Sequence, residues 1–332
     1  MAYDSNVLRR ATARLEEQKR QREEQRERLR RQVYAREPRL AQLDRQMRST
    51  MTQLAAAALR RGESAGDAVR AIRDQNLDIQ RERAVLLGAM GLPEDALDDK
   101  PACPKCGDTG WRGAQMCDCL KALCTQEQIK ELSKLLNLGE QSFDTFRLDY
   151  YSDATWPGRG ISPRANMDLV YEVCLNYAQK FGRFHLKNLF LTGAPGLGKT
   201  FLSACIARSV SEQGFSVVYD TAGNIFAQFE NRKFQRDAEG VQAARDETRR
   251  YVSCDLLILD DLGSELTTPF VKSALYELIN TRLVGEKNTV ISSNLTMEEA
   301  GKRYSPQIAS RLMGEYYILK FFGDDIRQLK RQ

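Results

Sequence analysis

An α/β domain in the second half of the chain, preceded by an α-helical hairpin and a small cysteine-rich module, is the architecture the sequence predicts. Three observations carry it. From residue 165 onward, helical stretches alternate with short, continuous apolar runs. Before residue 98, apolar residues recur at helical spacing within long charged segments. Between these regions, four cysteines fall within 17 residues. The expected domains are therefore 1–98 (helical, coiled-coil-like), 99–139 (cysteine module and helix), 140–164 (linker) and 165–332 (α/β).

Residues 6–60 read as one long helix. Its apolar positions are sparse at first (Leu8, Ala11, Leu15) and return at Leu29, Val33, Leu40, Leu43, Met47 and Met51. The stretch Glu16–Arg28 is polar on every face, so it needs salt bridges or a partner. Arg61–Gly66 reads as a turn. A second helix spans about Asp67–Met90 and is stopped by Gly91-Leu92-Pro93. Two helices joined by a short turn make a hairpin. The first 50 residues hold 14 Lys/Arg against 8 Asp/Glu, more than the whole net charge of +5. Such a segment suits nucleic acid, an acidic protein surface or a solvated helix. The N-terminus is charged rather than apolar, and no run approaches the roughly 20 apolar residues that span a bilayer. A cytoplasmic protein with no membrane partner is expected.

Cys103-x2-Cys106, ten residues, then Cys117-x-Cys119 supply four soft ligands. Pro104 and Gly107 flank the first pair, as a tight knuckle requires. Four thiolates with no open position suit a closed, structural Zn²⁺ site. The second pair is unusually tight, and Cys124 is an alternative to one of its members. Cys174, Cys205 and Cys254 lie in apolar surroundings and read as core fillers. His185, the sole histidine, reads as neither ligand nor base.

The apolar runs Asn188–Leu191, Phe215–Tyr219, Asp255–Leu259, Asn288–Ile291 and Tyr317–Phe322 suit parallel strands buried on both faces. Strand–helix alternation implies right-handed crossovers and a layered sheet. Pro269 after Thr268 marks a helix start. Thr296-Met297-Glu298-Glu299 forms a capping box.

Gly193-Ala194-Pro195-Gly196-Leu197-Gly198-Lys199-Thr200 follows one strand and precedes a helix, Phe201–Glu212. That context identifies a P-loop for ATP. Its backbone N–H groups and the helix N-terminus face the phosphates. Lys199 reaches the β- and γ-phosphates, and Thr200 offers a hydroxyl to Mg²⁺. Leu256–Leu259 ends in Asp260 and Asp261. A carboxylate at the tip of an apolar strand needs a cation. Mg²⁺ at the P-loop provides it, so Asp260 is the expected Walker B ligand and Asp261 the group that polarises water. Asn294, ending the strand Val290–Asn294, can orient that water. Arg311 and Arg327 are candidates for transition-state charge, and Arg303 competes with Arg311. The segment Thr221–Val252 carries Arg232-Lys233-Phe234-Gln235-Arg236. That run suits single-stranded DNA through phosphate pairing and base stacking, or a solvated helix with one core Phe.

Asn188–Ser203, Ile258–Gly263, Ile291–Thr296, Ile308–Leu312 and Ser142-Phe143-Asp144-Thr145-Phe146-Arg147 together resemble the ATPase domain of bacterial DnaC/DnaI-type helicase loaders and the related IstB ATPases. The resemblance covers roughly residues 140–328. It implies an AAA+ fold with a five-stranded parallel sheet. It also implies that Asn294 is sensor 1, Arg311 an arginine finger acting on a neighbour's ATP, and Arg327 sensor 2. AAA+ enzymes usually carry Asp-Glu where Asp260-Asp261 stands, and this leaves Glu265 as an alternative for positioning water. A helical and zinc-bearing N-terminal half resembles the adaptor of DnaI-type loaders, which grips the replicative helicase; IstB proteins generally lack such a module.

The resulting expectation is a slow, switch-like ATPase that self-associates through its ATPase domain and loads a hexameric replicative helicase onto single-stranded DNA. An IstB-like regulator of a transposase, or an adaptor that holds nucleotide with negligible turnover, are the rival readings.

Overall fold

The computed structural model describes residues 3–58, 64–135, 141–234 and 247–329. The chain divides into two units, Arg14–Cys117 and Met1–Ala13 with Asp118–Gln332. No helix among the described residues is long and apolar enough to cross a membrane.

The helical unit uses α1 (Ser5–Arg36) from Arg14 onward, α2 (Pro38–Ala58) and α3 (Ser64–Ala89). The single helix expected over residues 6–60 is two helices. Pro38 disfavours helical backbone at Glu37 yet fits the first position of α2, so the break falls there. α2 packs along α3 as the expected hairpin, and the connecting residues 59–63 lie outside the described residues. Val33, Leu40, Leu43, Ile79, Leu87 and Leu97 form the core. Buried Arg83 is fully engaged at its edge. It donates to Asp44 (2.8 Å), Asp98 (2.8 Å) and the Glu94 carbonyl (2.7 Å). The polar part of α1 finds the partners it requires in the segment after α3. Arg22 pairs with Asp108 at 2.8 Å, Arg26 with Asp99 at 2.6 Å, and Arg30 donates to the Leu97 carbonyl at 2.7 Å. A two-stranded hairpin, β1 (Trp111–Arg112) and β2 (Gln115–Met116), follows.

The second unit holds α4 (Asp118–Leu135), α5 (Pro163–Gln179), β3 (Asn188–Thr192), α6 (Lys199–Glu212), β4 (Val217–Thr221), α7 (Ala222–Phe234) and β5 (Leu256–Leu262). It continues through α8 (Pro269–Val284), β6 (Asn288–Ser293), α9 (Met297–Arg303), α10 (Pro306–Glu315), β7 (Tyr317–Lys320) and α11 (Ile326–Leu329). Residues 247–253 are also helical. The five apolar runs are the five strands, and β5 runs on through both aspartates. They form one parallel sheet in the order β4-β5-β6-β3-β7.

Alternate strand residues feed opposite layers. Leu189, Leu191, Leu256 and Ile258 meet α5 and α6, whereas Phe190, Leu257, Leu259 and Ile291 meet α7, α8 and α10. The helix starts read from sequence hold. Thr268 accepts the Val271 amide ahead of Pro269, and Thr296 and Glu299 close a capping box. Parallel topology brings the C-terminal ends of β3, β5, β6 and β7 to one edge, where ligands bind in open sheets of this kind.

Strand β4 is an edge strand, and α4 attends to it. The buried side chain of Gln128 accepts the Val217 amide at 2.9 Å and donates to the Phe215 carbonyl at 2.9 Å. At the same end, the Asp255 carboxylate accepts the amide (3.1 Å) and hydroxyl (2.8 Å) of Ser216 and pairs with Lys287 at 2.9 Å. Burial alone would raise its pKa. Lys287 and Ser216 outweigh burial and hold the carboxyl below its ordinary 3.8.

Replacing Asp255 by Ala should cost about 1–3 kcal/mol at neutral pH. A depressed folded-state pKa stabilises above the unfolded value, and that stabilisation is lost as pH falls through the folded one. The penalty of the substitution should therefore shrink in buffers acidified below 3.8. Urea unfolding of both proteins across that range measures it.

Candidate nucleotide and metal sites

The P-loop leaves β3 at Gly193 and ends where α6 begins at Lys199, with Gly198 as the cap residue. Packing dictates its glycines. A Cβ on Gly193 (φ +155) would sit 2.3 Å from the Phe321 carbonyl oxygen, and one on Gly196 (φ +80) 1.9 Å from Asp325 Oδ1. The segment after β7 thus forms one wall of the loop. Phe321 N–H donates to the Thr192 carbonyl at 2.7 Å and Ile326 N–H to the Gly196 carbonyl at 3.1 Å. The segment before α5 forms another wall. Buried Tyr151 donates to the Leu197 carbonyl at 3.0 Å, and Phe146 stacks on Tyr151 and Tyr171.

The ammonium of Lys199 bridges the loop, donating to the carbonyls of Gly193 (2.6 Å) and Ala194 (2.8 Å). Its pKa is lowered, chiefly by burial; Asp260 and Asp261 oppose the shift, and the charge of Arg327 adds to it. Both aspartates and Arg327 therefore act electrostatically on the P-loop lysine. Arg327 itself is exposed in α11, with its amide capped by Asp325 at 2.9 Å.

Asp260 is 5% exposed and accepts three hydroxyls. Thr200 Oγ1 donates to Oδ2 at 3.1 Å. Tyr219 also donates to Oδ2, and Ser292 donates to Oδ1. Burial, with Asp260 beside it, pushes the Tyr219 phenol far up, so it remains a donor. The register between β5 and β6 slips between Leu259 and Leu262, and Asp261 adopts φ +57 there. This bulge buries Asp260 while turning Asp261 outward, with the Asp261 amide donating to Ser292 Oγ at 3.0 Å. Thr200 and Asp260 thus pair two hard oxygen donors at the start of a P-loop helix, a set that fits Mg²⁺.

Asn294 is exposed one residue beyond β6, and its Oδ1 would meet a Cβ on Gly263 at 2.9 Å. It therefore lies beside the loop that follows Asp261. Glu265 and Arg303, the two alternatives, both tie down that loop. Glu265 accepts the Gly263 amide (2.9 Å) and the Tyr304 hydroxyl. Arg303 donates to Thr267 (2.8 Å) and the Glu265 carbonyl (2.6 Å). Arg311, on α10, lies over the Tyr276 ring of α8 at 5.7 Å. In the basic run, Arg232 donates to Thr248 at 3.4 Å and Lys233 sits 5.0 Å from the centroid of the Phe270 ring. Gln235 and Arg236 are outside the described residues.

The sulfurs of Cys103, Cys106, Cys117 and Cys119 lie within 4.8 Å of one another. The knuckle forms as its Gly predicts, with the Gly107 amide donating to the Cys103 carbonyl at 2.9 Å. Asp108 accepts the amides of Cys103 (2.8 Å) and Ala102 (3.0 Å). Four convergent thiols fit Zn²⁺. Cys124 is outside this group, and burial pushes its thiol up to about 11. Cys174, Cys205 and Cys254 are buried core residues, as expected.

Sequence reasoning missed Tyr219, Ser292, Tyr151 and Asp325. Tyr219 and Ser292 reach Asp260 from the two neighbouring strands, and Tyr151 and Asp325 reach the P-loop from segments distant in sequence.

Residues 181–324 match the family of IstB-like ATP binding proteins. The chain is 27% identical over 150 residues to an insertion-sequence ATP-binding protein of Sinorhizobium fredii, covering 44% of this chain and 58% of that one. It is 23% identical over 152 residues to the replicative helicase loader DnaC of Escherichia coli, covering 46% and 60%. The chain thus spans under two thirds of these relatives' lengths. A crystal structure of the DnaC helicase loader aligns with a TM-score of 0.45 and 16% identity over 56% of this chain and 99% of that one. The stretch similar to both IstB-like ATP binding proteins and the DnaC loader is the α/β unit that carries the P-loop.

Serine in place of Cys103, Cys106, Cys117 or Cys119 should reduce bound zinc from about one ion per chain to a small fraction. Cys124→Ala should leave it unchanged. Elemental analysis of the purified variants checks both.

Proposed function

We propose that this protein is an ATP-dependent loader that places a hexameric replicative helicase on single-stranded DNA in the cytoplasm. The carrying observation is the P-loop with Thr200 against the buried carboxylate of Asp260, in a chain that also bears a four-cysteine module and a helical hairpin. The first feature supports a nucleotide switch, the second an adaptor for a protein partner. The relative named DnaC is a replicative helicase loader, which supports the partner class.

In this reading, the Lys199 ammonium would exchange its two loop carbonyl acceptors for oxygens of the β- and γ-phosphates. Thr200 and Asp260 would hold Mg²⁺, which would neutralise phosphate charge. Asp261 faces outward to polarise the attacking water, and Asn294 orients it. Arg327 adds positive charge beside Lys199. Arg311 acts on the nucleotide of a neighbouring copy, so that ATP orders subunits side by side, and turnover is slow and switch-like. Arg232 and Lys233 contact DNA phosphates. This reading keeps the division proposed from sequence, 1–98, 99–139, 140–164 and 165–332, beside the two units into which the chain packs.

The similarity to an insertion-sequence protein favours one second reading, a regulator of a transposase. Affinity capture from the native host discriminates: recovery of a replicative helicase supports loading, and recovery of a transposase overturns it. Lys199→Ala and Asp260→Asn should each lower ATP hydrolysis by roughly 100-fold. Equal background rates in all three proteins would make the P-loop a static nucleotide holder.

A further inference from the structure

Asp260 sits in the C-terminal half of β5, between β4 and β6 in the sheet. Its carboxylate is held from both sides. Ser292 of β6 takes Oδ1, and Tyr219 of β4 takes Oδ2, the same oxygen that Thr200 approaches. The register explains how Tyr219 arrives. Tyr219 lies opposite Ile258 and Thr221 opposite Asp260, so the phenol reaches diagonally, two residues along the partner strand. Long side chains span that diagonal. Tyr219 is itself 5% exposed, and the start of β4 is fixed by Gln128 and Asp255. Neither the phenol nor its strand has freedom to swing away.

We propose that Tyr219 is a positioning residue for the magnesium-binding carboxylate. Its hydroxyl locks the Asp260 rotamer and turns Oδ2 toward Thr200, so that the two oxygen donors are prearranged before the cation arrives. Ser292 anchors the opposite oxygen and keeps the carboxylate plane from rotating. The inference rests on the nucleotide-site reading above. Groups that orient a metal ligand in this way are worth 10–100-fold in metal affinity.

The test is binding of a fluorescent ATP analogue, titrated with Mg²⁺ and repeated in EDTA. Tyr219→Phe keeps the buried ring and deletes only the hydroxyl. The Mg²⁺ concentration at half-maximal enhancement of binding should rise about 10-fold, with affinity in EDTA unchanged. An unshifted Mg²⁺ midpoint in folded Tyr219→Phe overturns the proposal. So does a parallel loss with and without Mg²⁺, which would mark the tyrosine as merely structural. Should the Phe variant not fold, Tyr219→Leu is read by the same criteria. The underlying reading fails separately: wild type would then bind no nucleotide, or Lys199→Ala would bind it equally well.

Discussion

The α/β unit is organised around one difficult burial, the carboxylate of Asp260 in the C-terminal half of an apolar strand. An anion placed there without partners would cost several kcal/mol. Three hydroxyls from three elements offset that cost: Thr200 at the start of α6, Tyr219 on β4 and Ser292 on β6. Each demands a fixed position for its element. The strand order, the start of α6 and the bulge at Asp261 are thus bound to one side chain. The bulge matters as much as the donors, because without it the next residue would point into the layer on the other face of the sheet.

The helical unit solves the opposite problem. Its long first helix has a stretch with no apolar face, and arginines at 22, 26 and 30 clamp it to the segment running into the cysteine cluster. Asp108 shows how closely the two are joined. It accepts the Cys103 amide, which sets the knuckle, and pairs with Arg22, which holds the helix. Burial opposes its ionisation, yet these donors hold its pKa below the ordinary value. Order in the helix and order in the knuckle rest on a shared carboxylate.

Much of this was legible in the sequence, for identifiable reasons. Continuous apolar runs marked all five strands because both faces of the sheet are buried. Gly193–Thr200 declared itself because phosphate cradles leave few alternatives to glycine, and the four cysteines converge because their spacing permits it. The break at Pro38 escaped a reading based on apolar periodicity, since Leu29, Val33, Leu40 and Leu43 keep nearly the same phase across it. Tyr219 and Ser292 escaped for a deeper reason. A tyrosine in an apolar strand looks like core until sheet order puts β4 next to β5. Asp325 likewise reads as a turn residue until the chain folds back onto Gly196.

Gln128 carries a consequence of its own. Its amide spans the Phe215 carbonyl and the Val217 N–H, the pair of groups that one residue of a parallel neighbour would engage. A single side chain thereby imitates a sixth strand at the root of β4. Open sheet edges template the addition of foreign strands, and proteins blunt them to avoid runaway aggregation. Here the blunting is done by a helix side chain that offers nothing further outward. A foreign strand therefore finds the backbone groups at the root of β4 already taken.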